Sequence, residues 1–186
     1  MTRVFLFHGT GGDGNENWFP FLRDELRARG CEVITPRFPP PEGQDLESWR
    51  AAFAEFWPLF DDPSERVVAV AHSIGPAFVL DLLERVEHPL LACFFVAPFH
   101  RPLGNAFDQP NASFLREYAW ERIMDAADHI RVFASENDPY VPLGHSEEFA
   151  ELVGASIKVF ENAGHFNTAA GFTTFPALLD EIDRII

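Results

Sequence analysis

Arg66-Val67-Val68-Ala69-Val70-Ala71-His72-Ser73-Ile74-Gly75-Pro76-Ala77-Phe78-Val79-Leu80-Asp81-Leu82-Leu83 is the stretch that decides the fold. Its first half is a short apolar, β-branched run of strand length, and its second half has helical spacing. Between them a serine stands at the tip of a sharp turn. Strand, turn and helix in that order form a nucleophile elbow, here A-H-S-I-G in place of G-x-S-x-G. The two backbones approach closely there, so the residues two before and two after the serine must be small. Gly75 meets that demand fully and Ala71 adds only a methyl group.

Working outward, an acid and a base follow in a fixed order. Ile130-Arg131-Val132-Phe133-Ala134 leads into Ser135-Glu136-Asn137-Asp138-Pro139-Tyr140-Val141-Pro142, and Ile157-Lys158-Val159-Phe160 leads into Glu161-Asn162-Ala163-Gly164-His165-Phe166. Each candidate lies just past the C-terminal end of an expected strand, where open α/β sheets build their sites. Ser73, Asp138, His165 is the chain order of one triad topology and differs from both well-known protease orders. Asp138-Pro139 also reads as a turn initiator, with Asn137, Glu136 or Asp108 as other sources of the acid. Of seven histidines, His72 is expected to bond locally, His8 to support its loop and His145 to lie on the surface. In this reading His165 takes the Ser73 proton and Asp138 holds the imidazole. The oxyanion would be met by the N–H of Ile74 and, from the loop after the first strand, the N–H of Thr10.

Fourteen basic against 29 acidic residues give a net charge of −15 over 186 residues. That balance argues against nucleic acid and against anionic membranes as partners. Cys31 and Cys93 both fall in apolar runs, which reads as two buried free thiols in a reducing compartment. Met1-Thr2-Arg3 leads straight into Val4-Phe5-Leu6-Phe7, too short for a signal peptide's apolar core, so a cytoplasmic protein is expected. No scattered histidines or cysteines show metal-ligand spacing.

Strand-length runs recur near 3–7, 31–35, 66–71, 91–97, 130–135 and 156–160, with helical patterns between most of them. Leu46, Trp49, Phe53, Phe56, Trp57 and Phe60 predict one apolar helical face, and further helices are expected near 144–153 and 174–185. This alternation predicts a single α/β domain over 1–186, its mostly parallel sheet covered on both faces. Pro98 to about Glu117 departs from the pattern. A connection of that length is usually functional or carries a short helix, and Phe99, Phe107 and Phe114 are candidate pocket walls, with Phe166 beside the expected base.

With these residues placed, the chain resembles the retinoblastoma-binding protein 9-like family of small α/β-hydrolase serine hydrolases. The likeness is carried by Phe7-His8-Gly9-Thr10-Gly11-Gly12 with Asn17-Trp18-Phe19-Pro20, by Pro36 to Pro39 and Leu46 to Trp49, and by A-H-S-I-G, N-D-P-Y-V-P and A-G-H-F. The departure is Ala71 for the usual glycine, with Ile74 and Pro76 around the elbow, where they could narrow the entrance. The resemblance implies the three-layer α/β-hydrolase fold, and 186 residues leave little room for a cap domain, so a trimmed sheet of about six strands is expected. It also implies a metal-independent serine hydrolase; the ordered triad with its first-loop donors predicts, with no cofactor, cleavage of a small carboxyl ester, amide or thioester through an acyl-enzyme. Superfamily relatives run lyase and peroxidase chemistry on similar constellations.

Two other classes compete. Gly9-x-Gly11-x-x-Gly14 satisfies a dinucleotide fingerprint, yet the second strand ends without a ribose-binding acid and Asp13 puts negative charge inside the loop. A protein-binding module that keeps the fold without turnover is the stronger alternative; its sign would be a damaged triad, and this triad is intact. A protein partner is not readable from the chain.

Overall fold

The computed structural model describes residues 1–186. Six strands, β1 (Thr2–Phe7), β2 (Glu32–Ile34), β3 (Arg66–His72), β4 (Ala92–Val96), β5 (Ile130–Ser135) and β6 (Ser156–Phe160), form one sheet in the order β2-β1-β3-β4-β5-β6. Every pairing is parallel, so all six C-terminal ends lie along one edge. The order reverses direction at β1 and β3, the switch point at which such sheets open a crevice.

Eight helices cover the sheet: α1 (Phe19–Ala28), α2 (Leu46–Phe53), α3 (Trp57–Phe60), α4 (Gly75–Leu83), α5 (Asp108–Asn111), α6 (Trp120–Met124), α7 (Leu143–Leu152) and α8 (Pro176–Asp183). Alternation along each strand sends side chains to two separate cores. Phe5, Phe7, Val67, Ala69, Cys93, Phe95 and Val132 meet α2, α4, α6 and α7 on one face. Val4, Leu6, Val68, Val70, Phe94, Val96 and Phe133 meet α1 and α8 on the other. The central strands are buried on both faces, which is why they read as continuous apolar runs.

The apolar face expected over 46–60 exists, but as a broken element. α2 ends at Phe53, a 3₁₀ turn covers Ala54–Phe56, and α3 restarts at Trp57. Pro58 supplies no N–H and its ring crowds the carbonyl four residues back, so a continuous helix through Ala54 is not available. The start of α2 is defined by Asp45, whose side chain accepts from the Ser48 N–H at 2.6 Å while Ser48 Oγ accepts from the Asp45 N–H at 3.0 Å.

The segment after β4 carries α5 and a 3₁₀ turn at Ala112–Phe114. Its far end is tied down by charge. Asp81 on α4 has a fully buried carboxylate that receives Arg50 from α2 (2.6 and 2.9 Å) and Arg116 (2.7 Å). Burial alone would raise the Asp81 pKa; hydrogen bonds and charge from the two arginines outweigh it and hold the group below the usual carboxylate range. No helix is long and apolar enough to cross a membrane.

Candidate active site

β3 delivers Ser73 to the C-terminal edge with φ of 63°. That left-handed conformation is unfavourable for an L residue and is imposed from two sides. The Ser73 N–H donates to the Val96 carbonyl at 2.9 Å, and α4 begins two residues later. A Cβ at Gly75 would lie 2.9 Å from the Phe7 carbonyl oxygen and 3.0 Å from that of His8, so only glycine fits. Ala71 is accommodated in full burial, in register between Phe7 and Phe95. Ile74 and Pro76 do not narrow the entrance as expected. Both are buried against the body of the fold and neither lines the cavity, because the elbow turns them inward.

His165 Nε2 lies 3.0 Å from Ser73 Oγ, and its Nδ1 lies 2.7 Å from Asp138 Oδ2. Asp138 Oδ1 accepts from the N–H groups of Tyr140 (2.8 Å) and Val141 (3.0 Å), which orients the carboxylate. A carboxylate at Nδ1 keeps the ring proton there and leaves Nε2 free to accept from the serine hydroxyl. None of the other acids considered reaches His165. Asp108 accepts from the N–H groups of Leu103 and Gly104, Asn137 from the N–H of Gly164, and Glu136 is exposed.

The loop that carries His165 is held at its backbone. Asn137 Oδ1 accepts from the Gly164 N–H (2.8 Å) and the Ser135 hydroxyl (2.8 Å), while Ser135 Oγ accepts from the Ala163 N–H (3.0 Å). His72 Nε2 donates to the His165 carbonyl at 2.9 Å, and Trp18 Nε1 donates to that of Phe166 at 3.0 Å. Burial first, and then the neighbouring His165 charge, lower the His72 pKa to about 3, so His72 is a neutral buttress. His8 is a support too: Nδ1 donates to the Gly9 carbonyl at 2.8 Å and Nε2 accepts from the Phe38 N–H at 3.3 Å. Burial lowers its pKa. His145, expected at the surface, is half-buried; its neighbour on α7, Ser146, donates to the Pro98 carbonyl at 3.0 Å and so ties this end of the helix to the segment that follows β4.

The N–H groups of Thr10 and Ile74 donate to no other group of the protein. Thr10, Ser73 and His165 line one cavity of about 220 Å³. Phe99 and Phe107 form part of its wall with Leu103, Tyr140 and Val141, and Asp13 and Glu16 are the only charged residues at it. Phe114 and Phe166 correct the expected set of walls. The 3₁₀ turn rotates Phe114 inward onto the Trp49 ring, 5.0 Å away. The turn at Phe166 sends its ring beneath the sheet edge against Phe172 and Phe175.

Gly14 owes its smallness to packing, since a Cβ there would lie 2.1 Å from Thr35 Cγ2. α1 begins only at Phe19, so no helix N-terminus follows the glycines as a dinucleotide site requires. No role at this site was read from the sequence for Tyr140, Gln44 or Asn111, and Asn137 entered only as an alternative acid. Tyr140 sits edge-on to the His165 ring at 5.1 Å, and its place in N-D-P-Y-V-P was the available signal. Gln44 had none, and the glycosylation spacing of Asn111-Ala112-Ser113 does not point to the cavity.

A parallel sheet with helices on both faces and a serine-histidine-aspartate constellation on its C-terminal edge defines an α/β-hydrolase. The family model described as "Serine hydrolase" matches residues 4–184. The chain therefore belongs to the serine hydrolase family. It is 28% identical to YdeN of Bacillus subtilis (strain 168) over 97% of this chain and 94% of that one. Serine hydrolase RBBP9 of Rattus norvegicus is 24% identical over 89% and 87%. The crystal structure of the ydeN gene product from B. subtilis superimposes with a TM-score of 0.90 at 26% identity, covering 100% of this chain and 98% of the other.

Proposed function

We propose that this hydrolase cleaves small carboxyl esters through an acyl-enzyme on Ser73. The observation that carries the reading is the unbroken hydrogen-bond line from Ser73 Oγ through His165 to Asp138 at the mouth of a cavity. Nε2 of His165 takes the hydroxyl proton as Oγ attacks the acyl carbon, a step worth about 10²–10⁴-fold for general base catalysis. The Asp138 carboxylate stabilises the imidazolium that forms. The N–H groups of Thr10 and Ile74 receive the oxyanion, and losing one such donor costs about 10²–10³-fold. His165 then protonates the departing alcohol, and water enters by the same route to free the acid. Amides and thioesters would follow the same path. A cavity of about 220 Å³ falls below the roughly 300–1,000 Å³ of drug-sized pockets, which favours short acyl groups.

Fluorophosphonate labelling read by intact mass tests the assignment. One adduct on the wild type and none on folded Ser73→Ala is expected. No adduct on the folded wild type would favour the protein-binding alternative, and an adduct persisting on Ser73→Ala would move the nucleophile elsewhere.

A further inference from the structure

Three polar side chains from separate segments meet behind the cavity wall. Gln44 Nε2 donates to the Pro110 carbonyl (3.2 Å) and to Asn111 Oδ1 (2.5 Å), and lies 3.2 Å from Thr10 Oγ1. Thr10 Oγ1 donates to the same Asn111 Oδ1 at 2.7 Å. The Pro110 carbonyl can only accept, so the Gln44 nitrogen must face it, and the Asn111 atom beside that nitrogen must be the oxygen. The orientation of Asn111 is thereby fixed.

Its Nδ2 donates to no group of the protein and is not sealed in: the buried atom of this cluster left without a partner is Gln44 Oε1, whereas Asn111, only 1% exposed, lines the cavity. An amide held by its oxygen, with both N–H donors unclaimed at the cavity, offers them to whatever enters it.

Building on the serine-hydrolase reading above, we propose that Asn111 is a specificity-determining residue. Its Nδ2 donates to an uncharged oxygen on the substrate's acyl chain, such as an ether, hydroxyl or keto group. The acyl side is indicated because Asn111 hangs on the side chain of Thr10, whose N–H faces the scissile carbonyl, whereas the leaving group departs toward His165. An uncharged acceptor is indicated because no lysine or arginine lines the cavity while Asp13 and Glu16 do. A carboxylate would meet like charge and no counter-charge.

Nitrophenyl methoxyacetate and 3-methoxypropionate, compared with the isosteric butyrate and pentanoate, provide the test. Each kcat/KM is divided by the ester's hydroxide-catalysed rate to remove intrinsic reactivity. The wild type is expected to prefer at least one ether ester by about 3–10-fold, the worth of one neutral hydrogen bond. Asn111→Asp keeps an oxygen for Thr10 and Gln44 but replaces the cavity-facing donor with an acceptor. It should abolish or invert the preference while still turning over the alkyl esters. A wild-type preference near one for both pairs overturns the proposal, as does an unchanged preference in Asn111→Asp, which would leave Asn111 as a mere support for Thr10. A wild type that hydrolyses no ester and takes no fluorophosphonate overturns the hydrolase reading and this inference with it.

Discussion

A methyl group added at Gly9 would sit 2.8 Å from Ser73 Cβ and 3.3 Å from Ser73 Oγ. Carbon atoms in contact prefer about 3.5–4.0 Å, so roughly 0.7–1.2 Å of separation must be found. Ser73 has little room to yield. Its N–H is bonded to the Val96 carbonyl, its backbone is already left-handed, and Ile74 next to it is fully buried. Displacement on the order of 1 Å costs a positioned reaction about 10²-fold. Overpacking itself costs about 1–3 kcal/mol, and each kcal/mol lowers Tm by about 2–4 °C at this chain length. Gly9→Ala should therefore take up fluorophosphonate about 10²-fold more slowly while its melt falls by only a few steps of that size. Gly144→Ala is the matched control, because a Cβ there meets nothing within 4 Å and lies in α7. It should label like the wild type and melt no lower, since alanine exceeds glycine in a helix by about 0.8–1 kcal/mol. Wild-type labelling by Gly9→Ala would refute the claim that close approach of the first loop fixes the nucleophile.

Two further outcomes follow from the same geometry. Asn137→Ala leaves the Gly164 N–H and the Ser135 hydroxyl without their acceptor, at about 1–3 kcal/mol for a buried group left unpaired. Melting point and labelling rate should both fall, and Asn137→Asp, which keeps the acceptor, should recover most of each; equal loss in the two variants would exclude the anchoring role. The pH dependence has a definite sign. His72 is held near a pKa of about 3 by burial, and His8 is also lowered by burial, so the unfolded chain binds more protons as pH falls below 6.5. Their contribution is complete above about 6.5 and drains away as pH drops toward the folded values. Melts between pH 8 and 5 should show Tm falling, with a shallower fall in His72→Gln; an identical slope would show that His72 is not among the groups responsible.

Strand positions and the meeting of Ser73, His165 and Asp138 at one sheet edge were legible because each is written locally: an apolar run, a turn, and one polar residue at its end. Phe107 and Phe114 show where this stops. They lie seven residues apart in a segment whose helix is one turn long, too short for periodicity to set a face, and only the 3₁₀ turn sends one ring to the cavity and the other to Trp49. Pro58 was visible, yet the apolar spacing on both sides of it outweighed its signal for a break. The Gln44–Asn111 contact joins residues 67 apart, each with an ordinary loop explanation, and nothing local links them. Asn137 was weighed as an alternative acid, whereas the packing of the two loops makes it a brace for the loop that carries His165.

Backbone strain supplies an independent pointer to the same edge. Four non-glycine residues have positive φ: Asn17 (55°), Ser73 (63°), Ala97 (48°) and Phe166 (50°). Asn17 and Ser73 line the cavity, Phe166 follows His165, and Ala97 follows β4 beside the elbow. Such conformations cost of order 1–3 kcal/mol each and persist only where surrounding contacts over-determine them. Here the restraints can be named. Ser73 and Ala97 continue the parallel ladder through their N–H groups, to Val96 and Phe133. Asn17 Oδ1 accepts from the Thr168 N–H, and Phe166 is clamped by Trp18 and by the Phe172–Phe175 cluster. A sheet needing only stability would have no reason to concentrate this cost at one end. Strain, free N–H donors and the serine-histidine-aspartate line coincide there because each strand end must turn sharply enough to aim one group at a shared point.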